Sequence, residues 1–319
     1  VTADQPSLDR RVRQARALLL RRGHVDPVVA VSTPRGRVVA GDSQARWEIG
    51  SVTKVFTGLL LAVLAGDGTV HLDDAVTRHL PPRTPVAPGI EQITLEQLAS
   101  HTAGLPRLPP GLARRPFSPA ARADPYAEVD ADWLLASLER TKVRRTPGTG
   151  DPRYSNFGTG LLGFALGRAT GLGYERSLLE SVVQPLGLAA TSFADHPLHQ
   201  GRHRGRPVGP WHLGALSGAG GLRSCADDVL VLLETVRDPS GPLAPAIVET
   251  CRPRASAGRL QVGLGWFMLA DGDLLMHDGG TLGACSEVRV ERHSGSCVVV
   301  LGDGRAGTAR AATSLLNPR

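Results

Sequence analysis

Apolar positions recur at helical spacing over residues 8–22, where Leu8, Val12, Ala15, Leu18 and Leu19 define one face of an amphipathic helix. Two short apolar runs follow, Val28 to Val31 and Val38 to Ala40, separated by Thr33, Pro34, Arg35 and Gly36; they predict a β-hairpin. Residues 51–65 predict a helix that is apolar around much of its circumference, ended by the turn Gly66, Asp67, Gly68. Helical patterns continue at 94–100, 131–140, 157–169, 174–183 and 226–236. Between them, 104–125 (rich in Pro and Arg) and 195–215 read as long surface loops. The C-terminal part returns to strands at 265–270, 274–277, 286–291 and 297–301, then a last helix over about 306–316.

Strands at both ends with helices between them predict an α+β fold. One antiparallel sheet is built from the two chain termini and flanked by helices, beside a mainly helical lobe. Residues 1–319 form a single domain on this reading. The sheet-containing part covers about 1–66 and 260–319, and the lobe about 67–259. A cleft between sheet and lobe is the expected place for a site.

Composition narrows the classes. With 41% apolar and 21% charged residues, the chain suits an ordinary soluble globular protein. The net charge of +6 comes from scattered arginines. The densest groups, Arg10, Arg11 and Arg13, then Arg202, Arg204 and Arg206, lack interleaved aromatics, so a solvated basic surface is favoured over a nucleic-acid site. The longest apolar stretch, Leu59 to Ala65, is far short of the roughly 20 residues of a membrane span. The opening residues show no charged-then-apolar leader, so a cytoplasmic location is expected, with secretion left open should a leader have been removed. Cys225, Cys251, Cys285 and Cys297 have no metal-binding spacing and suit free, mostly buried thiols.

Of 36 basic side chains only two are lysines, Lys54 and Lys142. Arginine cannot be deprotonated in a protein, whereas a desolvated lysine loses its proton near neutral pH. Lys54 lies three residues after Ser51, so on a helix the amine reaches the hydroxyl. The bland alternative is an N-cap serine with a surface lysine on the first turn. A helix apolar at Val55, Phe56, Leu59, Leu60, Val63 and Leu64 leaves little solvated face for such a lysine.

Tyr154, Ser155 and Asn156 precede a Gly-rich apolar helix. A tyrosine becomes a base only where an ammonium such as that of Lys54 stabilises its anion. Asn156 offers an amide for holding a substrate carbonyl, although an Asx-type turn explains it equally. His277, Asp278, Gly279, Gly280 and Thr281 end a predicted strand; the glycines admit a substrate close to the backbone, and Gly280 presents an N–H to an oxyanion.

In this order and spacing, Ser-x-x-Lys, Tyr-x-Asn and His-x-Gly resemble the serine β-lactamase and penicillin-binding-protein superfamily. The similarity is to the class C-like branch that includes D-stereospecific peptidases and carboxylesterases. Residues 47–51, 72–76, 93–106, 184–188 and 218–224 resemble its framework stretches. The resemblance implies that Ser51 is the acylated nucleophile, that Lys54 and Tyr154 share the general-base role, and that Asn156 positions substrate. It also implies an oxyanion hole from the N–H groups of Ser51 and Gly280, and no metal or organic cofactor. The partner implied is a small ester, amide or peptide, with no nucleic acid or membrane involved.

One departure bears on the substrate. Many β-lactamases of this superfamily have Lys-Thr-Gly where His277, Asp278 and Gly279 stand, and a carboxylate at 278 repels an anion. A neutral or amine-bearing ester or amide is therefore expected. A transacylase is the second reading, a β-lactamase or D,D-peptidase the third, and a non-catalytic binding protein on the same fold the reading from another class. His196, His199 and His203 invite a metal reading, but Arg202, Arg204 and Arg206 oppose a dication, so no metal is expected. His101 is read as a structural hydrogen-bonding residue. Ser224 and Asp227 are read as a capping box at the start of the helix that follows.

Overall fold

The computed structural model describes residues 5–112, 124–195, 197–269 and 272–316. The N-terminal hairpin forms as β1 (Val28–Thr33) and β2 (Gly36–Ala40). It pairs through β1 with the C-terminal strand β12 (Ser296–Gly302), next to β11 (Cys285–Glu291) and β10 (Leu274–Gly280). The sheet continues through β9 (Phe267–Leu269) and β8 (Leu260–Val262) to β7 (Ala255–Ala257). The order of its eight strands is β2-β1-β12-β11-β10-β9-β8-β7, every neighbouring pair antiparallel.

Side-chain alternation gives this sheet two different faces. Val29, Val31, Val298 and Val300 pack against Leu8, Val12, Ala15 and Leu19 of α1 (Gln5–Arg21) and against Ala311, Ala312 and Leu315 of the last helix, α9 (Thr308–Leu315). Val28, Ala30, Cys297, Val299 and Leu301 face the other way, into the large core shared with α2 (Thr53–Gly66) and α7 (Ala226–Arg237). A helix apolar all round belongs inside a protein, and α2 is buried at eleven of its positions, Lys54 included.

The lobe is built from α3 (Leu95–Ala99), α4 (Ala131–Glu139), α5 (Asn156–Thr170) and α6 (Tyr174–Leu178), the last continued by a π-helical turn, Leu179–Val183. Thr94 and Gln97 close a reciprocal capping box on α3, and Ser155 caps α5 by accepting from the Gly158 N–H at 2.9 Å. A short bridge of β3 (Trp47–Glu48) with β6 (Arg223–Ser224) ties the nucleophile segment to the lobe.

Several expectations shift. The predicted strand 274–277 runs on to Gly280, because Asp278, Gly279 and Gly280 pair in register with Glu287, Ser286 and Cys285 of the fully buried β11. The motif expected at the end of the strand thus lies within it as far as Gly280. The expected strand 265–270 is confined to Phe267–Leu269. β7, β8 and α8 (Ala244–Thr250) were not legible: the strands have three residues each, and Pro245 stands in the first turn of α8, where its missing N–H costs nothing. The sheet thus reaches back to Ala255. Helix α7, which falls in the stretch assigned to the lobe, lies on the sheet, with Glu234 accepting from Ser32 Oγ at 2.5 Å and from Arg37 Nε at 2.7 Å.

The cap of α7 is Cys225, whose sulfur accepts from the Asp228 N–H at 3.5 Å; the expected Ser224–Asp227 box does not form because Ser224 bonds to Thr191 instead. All four cysteines are buried free thiols. The stretch 195–215 contains a small hairpin, β4 (Arg202–His203) with β5 (Arg206–Pro207). Half of the other predicted loop, residues 113–123, and His196 lie outside the described residues.

Candidate active site

Ser51 is carried on a tight 3-10 turn, Gly50–Val52, that leads into α2. It is not the helix N-cap, a place taken by Val52 with no side-chain cap bond, which removes the bland reading of the serine. The turn is held from both sides. Ser286 on β11 donates its hydroxyl to the Ile49 carbonyl at 2.7 Å, and the Ile49 N–H donates to the Leu222 carbonyl at 3.1 Å. Gly50 has φ +49°, and a Cβ there would sit 2.5 Å from the Gly280 nitrogen. A Cβ on Gly279 would overlap the Ile49 carbonyl and the Ser286 hydroxyl. These two glycines let β10 lie directly against the nucleophile turn.

Three predicted residues meet at one oxygen. Lys54 Nζ lies 3.0 Å and the Tyr154 hydroxyl 2.7 Å from Ser51 Oγ. Lys54 is fully buried, and its amine also donates to the Ala219 carbonyl at 2.5 Å. Desolvation pushes its pKa well below the usual lysine value, the nearby Arg107 cation pushes it further down, and Asp278 opposes. The neutral amine is thereby favoured, as the scarcity of lysine suggested.

Burial pushes Tyr154 up to about 12, even though its bond to Ser51 and the cations Arg107 and Arg305 pull it down. The depressed pKa of Lys54 disfavours the ammonium that would stabilise a phenolate. Tyr154 is thus a phenol that donates to Ser51 Oγ.

β10 supplies the facing wall. His277 is buried, its Nδ1 is 2.8 Å from the Asp278 carbonyl, and burial lowers its pKa to about 4. Since a carbonyl only accepts, Nδ1 carries the proton and the Nε2 lone pair, also buried, has no partner among the described residues. Asp278 points outward and pairs with Arg305 at 3.1 Å, both side chains exposed. Asn156 bonds through its amide to Tyr126 rather than to the Ser51 group, and its Oδ1 is buried without a partner among the described residues. No Asx turn forms there, since Ser155 is the residue that caps the helix.

Sequence reasoning missed three neighbours of Tyr154. Phe267 stacks at 6.1 Å between ring centres, His101 tilts against it at 4.8 Å, and the Arg107 guanidinium lies 5.1 Å above the ring. His101 is buried in a left-handed backbone conformation, φ +62°, and burial drives its pKa well down, so it is a neutral packing partner. Arg107 follows Gly104, Leu105 and Pro106, a stretch that marked framework only and gave no signal of a charge aimed at the cleft. Of the proposed metal histidines, His199 stacks on Trp47 at 3.7 Å and His203 is exposed on β4.

The Beta-lactamase family model matches residues 8–315. The chain belongs to the Beta-lactamase family. This Beta-lactamase family chain is 29% identical over 300 residues to esterase EstB of Burkholderia gladioli, a match covering 82% of this chain and 76% of EstB. It is 34% identical over 152 residues to the D-alanyl-D-alanine-carboxypeptidase/endopeptidase AmpH of Escherichia coli K12, covering 47% of this chain and only 37% of AmpH. Its fold matches a class C beta-lactamase with a TM-score of 0.83 at 17% identity, over 100% of this chain and 99% of that one. A beta-lactamase/D-alanine carboxypeptidase from Pseudomonas syringae matches equally, 0.83 at 18% identity, over 98% and 99%. Family and fold agree on the beta-lactamase type. No helix among the described residues is long and apolar enough to cross a membrane.

Proposed function

We propose that this chain hydrolyses an ester or amide through an acyl-enzyme on Ser51. The neutral amine of Lys54 takes the Ser51 proton as Oγ bonds to the substrate carbonyl carbon. The oxyanion rests on the N–H groups of Ser51 and Gly280. As the carbonyl reforms, the bond to the leaving group breaks, and the Tyr154 hydroxyl hands its proton to that group while recovering one from Lys54. Water then attacks the acyl carbon and gives its proton to Lys54; the bond to Ser51 Oγ breaks, the acid leaves, and Oγ recovers its proton from Lys54. The observation that supports this most is one oxygen, Ser51 Oγ, bonded both to a fully buried amine and to a phenol.

The wall formed by β10 bears on the substrate. Asp278 discourages a carboxylate there, and its pairing with Arg305 leaves that wall without net charge. The substrate end facing β10 is accordingly neutral or amine-bearing. Transfer of the acyl group to an alcohol or amine uses the same groups and is the second reading.

The test is fluorophosphonate labelling with mapping of the adduct, joined to a panel of nitrophenyl esters, D-amino-acid amides and a chromogenic cephalosporin. The expected result is a single adduct at Ser51, and ester turnover that Ser51→Ala lowers by about 10³-fold or more. A folded protein that takes no label at Ser51 favours the binding-protein reading instead. Penicillin or D-alanyl peptide turnover far above that of the neutral esters overturns the substrate assignment.

A further inference from the structure

The two walls of the cleft carry charge differently. On the β10 side, Arg305 lies over Gly280, where a Cβ would overlap its guanidinium, and is neutralised by Asp278. On the lobe side, Arg107 lies on the ring of Tyr154 and is exposed, with no acidic partner among the described residues. Its main chain is fixed: the Arg107 carbonyl accepts from the N–H groups of Asn156 and Phe157 at 2.9 and 3.2 Å, which locks it to the first turn of α5. The cation is therefore held at the cleft by its backbone and by its contact with the tyrosine ring, while its N–H donors have no partner among the described residues.

The guanidinium carbon lies 5.1 Å from the centre of the tyrosine ring, and the N–H donors of an arginine fork are what recognise a carboxylate. An arginine that served only surface solubility has no reason to sit on the ring of the residue bonded to the nucleophile. Its influence reaches the site, since it lowers the pKa of Lys54, Tyr126 and Tyr154 alike.

We propose that Arg107 binds a carboxylate of the substrate at the Tyr154 wall, so that the hydrolase selects esters or amides carrying an anionic group on that side. This deepens the acyl-enzyme reading and rests on it. The site then has a polarity: an anion beside Tyr154, and a neutral or amine-bearing end beside β10.

The test compares matched substrates. 4-Nitrophenyl hemisuccinate against its methyl ester places the anion on the acyl side. The butyrate ester of 4-hydroxybenzoate against that of its methyl ester places it on the leaving group. The readout is the ratio of kcat/KM for anionic over neutral substrate, which cancels any loss common to both. In one of the two pairs the wild type is expected to favour the anion, and Arg107→Gln is expected to lower the ratio about 10-fold, the usual weight of a charge-assisted pair in a partly open cleft. Arg107→Lys keeps part of the preference, having charge without the planar fork.

Ratios that stay within about twofold in both pairs on Arg107→Gln overturn the proposal, and an equal fall for all substrates means that Arg107 only tunes Lys54. Should no ester be turned over, the acyl-enzyme reading fails separately. Arg107 is then judged by calorimetric binding of hemisuccinate ester to Ser51→Ala and to Ser51→Ala with Arg107→Gln. Equal affinities there also overturn it.

Discussion

The two lysines of this chain occupy opposite environments. Lys54 is completely buried between the nucleophile and the Ala219 carbonyl, whereas Lys142 is exposed on the lobe. The same side chain is withdrawn from water in one place and open to it in the other. What differs is water. Withdrawal of solvent penalises the ammonium at Lys54, and the Arg107 cation adds to the penalty.

The sharpest way to break this contrast is Lys54→Arg, which fixes a positive charge beside Ser51. A fall in kcat of about 10²–10⁴-fold is expected, the usual worth of a positioned base. Lys54→Met separates chemistry from folding: activity is lost, while stability at neutral pH holds or rises, because the variant's unfolded chain no longer gains the proton that the depressed folded pKa disfavours. The pH dependence has a definite sign. Unfolded, Lys54 binds a proton below its ordinary value of 10.5; folded, it does so only at a well lower pH. Stability is therefore lost as pH falls from 10.5 towards the folded pKa, and urea melts across that window should show a flatter profile in Lys54→Met. The activity of the wild type rises at the lower end of that window, through the folded pKa, as the native amine deprotonates.

Gly279→Ala tests the packing that positions the pair. The added methyl overlaps the Ile49 carbonyl and pushes β10 off the nucleophile turn. A cost of about 1–3 kcal/mol is expected in denaturant melts, with kcat falling while Lys54 keeps its depressed pKa. The smallest effect belongs to Lys142→Arg: stability within about 0.5 kcal/mol and unchanged kcat/KM. A catalytic loss there approaching that of Lys54→Arg would falsify the contrast between the two lysines.

The legible parts of the molecule were those with long periodic patterns. Helices α1, α2, α5 and α7 fall within a few residues of expectation, since their apolar positions repeat over several turns. The three-residue strands β7 and β8 were invisible, as was the extension of β10 through two glycines. Their pairing depends on neighbours far along the chain, and glycine carries no strand signal of its own. In the site, Ser51, Lys54 and Tyr154 were legible because their chemistry is rare and ordered along the chain. Arg107 and Arg305 were not, being two of many arginines in a chain where that residue means little by itself.

By itself, then, the sequence determined which groups were available: one lysine inside an apolar helix, a serine one turn before it, a tyrosine ahead of a capped helix, and an alternating pattern that closes a sheet from both termini. The tertiary structure decided their state. Burial disfavours the ammonium of Lys54 and pushes Tyr154 up to about 12. The approach of β10 sets Gly279 and Gly280 against Ser51, and folding leaves Arg107 open while Arg305 is paired. The reason is physical: local pattern carries periodicity and chemical type, whereas desolvation and charge pairing are properties of residues brought together from distant parts of the chain.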